Sequence, residues 1–190
     1  VKEYPFSQLR KKVGMVPQQA VLFKGTIRDN MKWGKEDASE EEIQRALSIA
    51  QASGFVKSKP EGLNTMVSQG GANLSGGQRQ RLTIARALVG DPEILIMDDS
   101  ASALDFATDA ALRKSLHQLG GNTTTFLVSQ RAASIRQADL ILVLDDGQLA
   151  GKGTHQELVS TCETYREIFF SQFPEERIKY EKATGKEVLA

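Results

Sequence analysis

One octapeptide carries more information than any other part of this chain: Leu74-Ser75-Gly76-Gly77-Gln78-Arg79-Gln80-Arg81. Ser75 is a favourable helix N-cap, and Gln78 follows it three residues later, as a capping box requires. Gly76 and Gly77 lack a Cβ, so their backbone N–H groups can come close to a bound anion. Since a helix start carries partial positive charge and unpaired donors, this stretch predicts a phosphate site. The alternative is a flexible turn that only precedes a helix.

An apolar stretch downstream of the octapeptide ends in adjacent carboxylates. Ile94–Met97 is apolar throughout, and Asp98 and Asp99 follow it directly. Short, continuously apolar runs are typical of buried parallel strands. Open α/β sheets bind ligands outside the carboxyl ends of their strands, so Asp98 is predicted at the edge where ligands bind.

Short apolar or β-branched runs alternate with helical patterns, which predicts an α/β fold with a parallel sheet. The predicted strands are Val13–Val16, Ile94–Met97, Thr124–Val128 and Leu140–Leu144. Residues 35–90 are predicted to be helical throughout, with a capping box at Ser39, and another capping box is predicted at Thr154. Asp145-Asp146-Gly147 predicts a hairpin turn into a short strand over Gln148–Ala150.

Composition restricts the class of protein. The chain has 190 residues and a formal net charge of zero, from 24 basic and 24 acidic residues. This balance argues against a nucleic-acid-binding surface. The lone Cys162 excludes an internal disulfide and suits a reducing compartment. The longest aliphatic run, Leu140–Leu144, is far shorter than the roughly 18 residues of a membrane span. His117 and His155 lack metal-ligand spacing and are interpreted as surface residues.

Several motifs, taken in order, resemble those of the ABC-type ATPases. Leu74–Gln78 resembles the ABC signature motif. Val13–Gln18 resembles the strand into the Q-loop, and Ile94–Asp98 resembles the Walker B strand. Ser100–Asp105 resembles the D-loop, and Thr125–Gln130 resembles the strand into the switch. The resemblance runs from about Leu9 to Phe173. It implies a P-loop NTPase-like parallel sheet with an inserted helical subdomain.

Two further stretches, Ala20–Asn30 and Gly147–Leu158, are similar to the exporter-type subfamily. In that subfamily a membrane domain and the ATPase share one polypeptide. The resemblance therefore implies ATP and Mg²⁺ as cofactors and a second ABC ATPase subunit as a partner. It also implies a location at the cytoplasmic face of the plasma membrane. No nucleic acid is expected among the partners.

The family's P-loop is absent from this chain. A P-loop needs Gly-x-x-x-x-Gly-Lys-Ser/Thr, and no such stretch occurs here. In the family that loop precedes the Q-loop strand, so we expect residues 1–190 to be the C-terminal part of one ABC ATPase domain. The expected divisions are a helical signature subdomain over 35–90, a RecA-like core over 91–160, and C-terminal helices and tail over 161–190.

Two consequences are expected from the missing loop and strand. The P-loop strand is central to the family's sheet, so its neighbours are expected to carry unpaired backbone groups. The isolated chain is expected to bind ATP weakly or not at all, because most of the triphosphate cradle is absent.

The resemblance implies roles for individual residues. Asp98 would hold Mg²⁺, and Gln18 would supply a side-chain oxygen to the metal or to the attacking water. Asp105 lies in the D-loop at the nucleotide. The signature residues Ser75, Gly76, Gly77 and Gln78 would bind a nucleotide that sits on a partner subunit. Asp99 stands at the position of the general base, and Gln130 stands at the switch.

The residues at positions 99 and 130 depart from the family pattern, which normally has glutamate and histidine there. Aspartate is shorter than glutamate by one methylene, about 1.5 Å, and a misplacement of about 1 Å can cost roughly a hundredfold in rate. Glutamine can donate a hydrogen bond to a γ-phosphate but carries no charge. Asp99 and Gln130 therefore predict an impaired site beside an intact signature, as in one half of a heterodimeric exporter. Neutral variation in an active enzyme is the alternative.

The sequence leaves two other classes of function open. A soluble ABC ATPase of DNA repair or translation is disfavoured by the exporter-like Leu22–Asn30 and by the neutral charge. A regulatory subunit that completes a partner's site without hydrolysing ATP fits Asp99 and Gln130 in part.

Overall fold

The computed structural model describes residues 4–100, 102–119 and 123–185. These residues divide between Ser129 and Gln130 into two compact units, and each unit is described by itself. In the first unit the strands are β1 (Val13–Val16), β2 (Gly25–Thr26), β3 (Met66–Val67), β4 (Ile94–Asp98) and β5 (Thr124–Val128). Its helices are α1 (Phe6–Lys12), α2 (Ile27–Lys32), α3 (Glu40–Ile49), α4 (Ser53–Lys57), α5 (Gly76–Leu88) and α6 (Phe106–His117).

A three-stranded parallel sheet of order β1-β4-β5 is the centre of the first unit. Its register pairs Val16 with Met97 and Asp98 with Val128, so the carboxyl ends of the strands meet at one edge. Strands β1 and β5 have the predicted bounds, and β4 extends the predicted strand by one residue to Asp98. The predicted α/β fold with a parallel sheet is confirmed.

Side chains on one face of this sheet are more buried than those on the other. Leu95 and Met97 on β4 are buried, as is Val16 on β1. On the other face, Met15, Ile96 and Phe126 are register partners across the three strands, and Met15 and Phe126 are more than half exposed. Among the described residues β5 pairs only with β4, which leaves its outer edge unpaired. The expectation that the neighbours of the absent P-loop strand carry unpaired backbone groups stays a prediction.

Residues 35–90 are less uniformly helical than predicted. Between α4 and α5 the chain forms 3₁₀ turns at Gly62–Asn64 and Gln69–Gly71, with the short strand β3 between them. Strand β3 pairs antiparallel with β2. The helical prediction fails here because the segment 58–74 carries glycines with positive φ at Gly62, Gly70 and Gly71, which end regular helix.

The helices pack on the sheet at very short range. A Cβ at Gly14 of β1 would lie 2.6 Å from the carbonyl oxygen of Ala87 on α5. A Cβ at Gly34, just beyond α2, would lie 2.1 Å from the carbonyl oxygen of Arg86 on the same helix. Both glycines therefore permit backbone contacts with α5 that no other residue would allow.

Among the residues that the structure describes, the second unit contains a hairpin and four helices. The strands are β6 (Ile141–Asp145) and β7 (Gln148–Gly153), and the helices are α7 (Ala132–Ile135), α8 (His155–Thr161), α9 (Glu163–Gln172) and α10 (Pro174–Thr184). Asp146 and Gly147 both have positive φ, as a type I′ hairpin turn requires, so the predicted turn is confirmed. Lys186, the last residue of the charged C-terminal segment, lies outside the described residues.

The prediction of a buried parallel strand over Leu140–Leu144 was wrong. Strand β6 pairs antiparallel with β7, and among the described residues it joins no parallel sheet. Ile141 and Val143 face the core of the second unit, whereas Leu142 and Leu144 are exposed. A continuous apolar run does not show which face of the strand is buried, and here only one face is buried.

The interpretation of His155 as a surface residue was also wrong. Its ring is half-buried, its Nδ1 lies 2.9 Å from the hydroxyl of Tyr165, and its ring centre lies 4.7 Å from that of Phe169. Burial lowers the pKa of His155, and the nearby Arg136 lowers it further, whereas Glu176 opposes the shift. The histidine is therefore part of the aromatic core of the second unit.

The described helices do not meet the requirements of a membrane span. None of them combines the necessary length with sufficiently apolar composition.

Candidate functional site

The predicted capping box at the start of α5 is present in the structure. The hydroxyl oxygen of Ser75 accepts the backbone N–H of Gln78 at 3.2 Å, and the side-chain oxygen of Gln78 accepts the N–H of Ser75 at 3.1 Å. The first amides of a helix have no intrahelical acceptor. The N–H groups of Gly76 and Gly77 are therefore the donors that remain to bind an outside anion, and Ser75 and Gly76 are exposed.

The loop before α5 is fixed to the helix that follows it. One guanidinium nitrogen of Arg79 donates to the carbonyl of Leu74 at 2.7 Å and lies 3.4 Å from that of Gly71. Leu74 itself is buried in the core of the first unit. The amide-bearing turn is thus held at both of its ends before any ligand arrives.

The D-loop segment lies against the start of α5. A Cβ at Gly77 would sit 3.4 Å from the carbonyl oxygen of Ala103, which is ordinary van der Waals contact. Asp105 caps α6, because its carboxylate accepts the backbone N–H of Thr108 at 2.9 Å and the Thr108 hydroxyl at 2.7 Å. These hydrogen bonds, the backbone one first, hold the pKa of Asp105 below its usual value. In this structure the carboxylate of Asp105 therefore stabilises its own helix.

Asp98 and Gln18 lie at the same edge of the parallel sheet. Asp98 is the last residue of β4, and Gln18 follows β1 at an exposed position. Because Val16 is in register with Met97, the segments that leave the two strands begin side by side. The structure thus places the two predicted magnesium ligands at one carboxyl edge, as an α/β site requires.

The donor set at this edge suits Mg²⁺ bound together with a phosphate. Asp98 and Gln18 offer a carboxylate and an amide oxygen, which are hard ligands. Within the described ranges, no cluster of three or more His, Cys, Asp or Glu side chains could form a cage of protein ligands. Mg²⁺ commonly binds through one or two carboxylates and completes its shell with water and substrate phosphates. The residues present fit that mode of binding.

Asp99 has an unusual backbone conformation. Its φ is 40°, in the left-handed region that few residues other than glycine adopt, although aspartate tolerates it better than most. Its N–H donates to the carbonyl of Val128 at 2.9 Å, and its own carbonyl accepts from the hydroxyl of Ser102 at 2.8 Å. The chain therefore turns sharply at Asp99, and this turn sets the direction of the carboxylate.

Gln130 is the first residue of the second unit. Its backbone carbonyl accepts a hydrogen bond from the side-chain amide of Gln172 at 2.8 Å. The side-chain oxygen of Gln172 also accepts the N–H of Ala132 at 2.9 Å. Helix α9 therefore holds the backbone of the predicted switch, while the side chain of Gln130 is exposed.

Sequence reasoning missed two residues beside the signature turn, Arg81 and Gln51. The guanidinium of Arg81 donates to the backbone carbonyl of Gln51 at 2.9 Å. Arg81 belongs to the octapeptide, so its proximity to the turn was readable from the sequence. The involvement of Gln51 was not, because it depends on a left-handed backbone at that residue, with a φ of 57°.

Comparison with known proteins identifies the family. The family model of the ABC transporter ATP-binding region, described as "ABC transporter", matches residues 1–102, which is more than half of the chain. The chain therefore belongs to the ABC transporter family. The resemblance of its motifs to ABC-type ATPases is confirmed at this level.

Curated relatives named as ABC transporter proteins and a flippase, and one solved ABC exporter, are similar to this chain. YfiB of Bacillus subtilis (strain 168), an ABC transporter ATP-binding protein, is 46% identical over 93% of the chain and 30% of its own length. From the same organism, the "Probable multidrug resistance ABC transporter ATP-binding/permease protein YheI" is 44% identical over 90% of the chain and 29% of its length. The "ATP-dependent lipid A-core flippase" of Desulfotalea psychrophila is 41% identical over 90% of the chain and 30% of its length.

The structural comparison agrees with these relatives. A bacterial Atm1-family ABC exporter, solved with ATP bound, superposes with a TM-score of 0.86 at 37% identity. The match covers 90% of this chain and 30% of that chain. The α/β fold is thus that of an exporter's nucleotide-binding domain. The chain spans less than a third of the length of the relatives described here.

Proposed function

We propose that this chain is the C-terminal part of the ATP-binding and ATP-hydrolysing module of an ABC exporter, which drives transport across a membrane. The observation that carries the proposal is the capped start of α5, where Ser75 and Gln78 satisfy each other and leave the Gly76 and Gly77 amides available. A helix start with free amides binds phosphate. The similarity to named exporters over about 90% of the chain supports the same function.

The proposed mechanism divides the work between two subunits. The amides of Gly76 and Gly77 bind the terminal phosphate of ATP that is seated on a partner subunit. Asp98 and Gln18 would hold Mg²⁺ at the chain's own site, and Asp99 would position the attacking water there. Mg²⁺, when bound, neutralises charge on the phosphates during phosphoryl transfer. Gln130 donates a hydrogen bond to the γ-phosphate, and Asp105 contributes through the D-loop.

The chain's own hydrolytic site is proposed to be slow. Asp99 is shorter than the glutamate usual in the family, and the left-handed backbone there fixes where its carboxylate can reach. Gln130 lacks the charge of a protonated histidine. With an intact signature that serves its partner, the chain fits one half of a heterodimeric exporter. It would sit at the cytoplasmic face of the plasma membrane, joined to a membrane domain.

Mutation of the phosphate site in the full-length polypeptide that contains this chain, assembled with its partner subunit, tests the proposal. A Cβ at Gly76 meets little more than the end of Arg79, so Gly76→Asp fits sterically but places a negative charge at the phosphate site. We expect ATP hydrolysis to fall at least about tenfold, since a lost oxyanion donor alone costs that much or more. The matched control is Gly54→Asp, at the exposed second residue of α4, which should leave the rate unchanged. Equal rates for both variants would contradict the proposal.

The 190-residue chain by itself is proposed to bind ATP weakly, because it holds no P-loop sequence. Titration calorimetry with ATP and Mg²⁺ checks this. Micromolar affinity would show that the described residues are sufficient to bind the nucleotide.

A further inference from the structure

Arg81 contacts three different elements of the first unit. One guanidinium nitrogen donates to the carbonyl of Gln51 at 2.9 Å, and its Nε lies 3.3 Å from the carbonyl of Gly77. The centre of the guanidinium lies 4.9 Å from the ring centre of Phe55 on α4. The side chain therefore joins the first turn of α5 to the connection between α3 and α4.

Gln51 extends this connection to α6. Its side-chain amide donates to the hydroxyl of Ser115 at 2.9 Å. Its backbone is left-handed, with a φ of 57°, and this conformation lets its carbonyl accept from Arg81 while its side chain reaches α6. A non-glycine residue in this region is uncommon and is held there by its surroundings.

The chain of contacts closes on itself through the D-loop. Helix α6 begins after Asp105, which caps it. Burial lowers the pKa of Arg81, and the negative charge of Asp105 opposes that shift. The carbonyl of Ala103, also in the D-loop, lies against Gly77. The start of α5 is therefore connected to α6 through Arg81, Gln51 and Ser115, and it also lies against Ala103, which precedes α6.

Only an arginine can make all the contacts of Arg81. Its planar fork donates to two carbonyls in fixed directions while its flat face stacks on an aromatic ring. A lysine at this position keeps the positive charge but has a single nitrogen and no flat face. The Arg81→Lys variant thus keeps the positive charge at this position while it removes the directed contacts of the guanidinium.

We propose that Arg81, Gln51 and Ser115 are positioning residues, which aim the amides of Gly76 and Gly77 at the terminal phosphate of the partner's nucleotide. This inference rests on the proposed function of the signature turn. The residues themselves touch no phosphate. They act by fixing the first turn of α5 against α6, so that the phosphate meets donors that are already oriented.

The first test measures the rigidity of the turn without nucleotide, in the full-length polypeptide. Hydrogen–deuterium exchange is followed for the peptide that covers residues 74–82. In Arg81→Lys we expect its amides to exchange about threefold faster or more, because the first turn opens more often. The matched control is Arg45→Lys, which changes an exposed arginine that pairs with Asp91 at 3.4 Å. Exchange in this control should equal that of the parent protein.

The second test separates positioning from stability by steady-state kinetics. In Arg81→Lys we expect kcat for ATP hydrolysis to fall about tenfold while KM changes less than about twofold, since misplaced donors act mainly in the transition state. The gentler variants Gln51→Asn and Ser115→Ala each break the link to α6. Asparagine tolerates the left-handed backbone but is too short to reach Ser115.

The double variant Gln51→Asn/Ser115→Ala makes the test decisive. If both residues act through one hydrogen bond, the double variant loses no more kcat than either single variant. Unchanged kcat and unchanged exchange in Ser115→Ala and Arg81→Lys, in a parent protein that hydrolyses ATP, would overturn the inference. A parent protein without ATPase activity would instead count against the proposed function.

Discussion

Ser75 and Gln78 satisfy each other's backbone amides at the start of α5, at 3.2 and 3.1 Å. The same reciprocal arrangement occurs at Ser39 with Glu42 on α3 and at Thr154 with Glu157 on α8. These boxes do the same work for their helices. Only the box at Ser75 is followed by a pair of glycines, which makes its neighbouring amides accessible to a ligand.

The first prediction uses this similarity between Ser75 and Ser39. Ser75→Ala and Ser39→Ala each remove an N-cap hydroxyl and should lower the free energy of unfolding by about 1 kcal/mol. In the full-length polypeptide, Ser75→Ala should also lower ATPase activity, whereas Ser39→Ala should not. Chemical denaturation and an ATPase assay on both variants provide the measurement. Equal activity losses would mean that the turn at Ser75 has only a structural role.

The second prediction concerns the departures from the family pattern. Asp99→Glu combined with Gln130→His should raise the turnover of the chain's own site in the full-length polypeptide, because the longer carboxylate and the chargeable ring restore the usual groups. Single-turnover hydrolysis measures this site. The control is the same assay on a triple variant that also carries Asp98→Asn, in which the gain in turnover should disappear. A double variant with the parent rate would favour neutral variation at both positions.

The third prediction tests how closely α2 and α5 approach. A Cβ at Gly34 would lie 2.1 Å from the Arg86 carbonyl and 2.7 Å from a methyl carbon of Val89. Gly34→Ala should therefore lower the free energy of unfolding by about 1–3 kcal/mol or more. Gly54→Ala meets no atom within 4 Å and lies in a helix. It should stabilise the protein by about 0.5–1 kcal/mol. Urea denaturation of both variants measures whether Gly34→Ala lowers and Gly54→Ala raises the free energy of unfolding.

The fourth prediction concerns the pH dependence of stability. Burial, then Arg136, lowers the pKa of His155, while Glu176 acts the other way. The unfolded chain therefore binds a proton more readily than the folded one, and stability falls as the pH drops below the ordinary histidine value of about 6.5. His155→Gln should reduce the loss of melting temperature between about pH 7.5 and about pH 5.5.

The control for this experiment is His117→Gln, which removes the other histidine of the chain from the first unit. Its melting temperature should fall on acidification as in the parent protein. If His155→Gln and the parent protein lose the same stability, the half-buried ring makes no contribution to the pH dependence.

Much of the fold followed from local patterns in the sequence. The capping boxes at Ser39, Ser75 and Thr154 were readable because they depend on residues three apart. Strands β1, β4 and β5 could be predicted because short apolar runs between helical patterns usually form strands in an α/β chain. The position of Asp98 at the sheet edge followed from the same run.

The features that escaped prediction depend on residues far apart in the chain. Whether Leu142 and Leu144 are buried depends on what packs against β6. The apolar run Leu140–Leu144 does not itself show which elements pack there. His155 was interpreted as a surface residue because its partners Tyr165 and Phe169 lie on another helix. The left-handed turn at Gln51 has no local sequence signal such as glycine or asparagine.

The central claim is that the turn from Ser75 to Gly77 binds the terminal phosphate of a nucleotide seated on another subunit. A structure of the full-length assembly with ATP and Mg²⁺ measures this directly, through the distance from the Gly76 and Gly77 nitrogens to the γ-phosphate oxygens. The account predicts hydrogen-bond distances of about 2.7–3.2 Å. A turn that faces solvent, remote from any nucleotide, would contradict it.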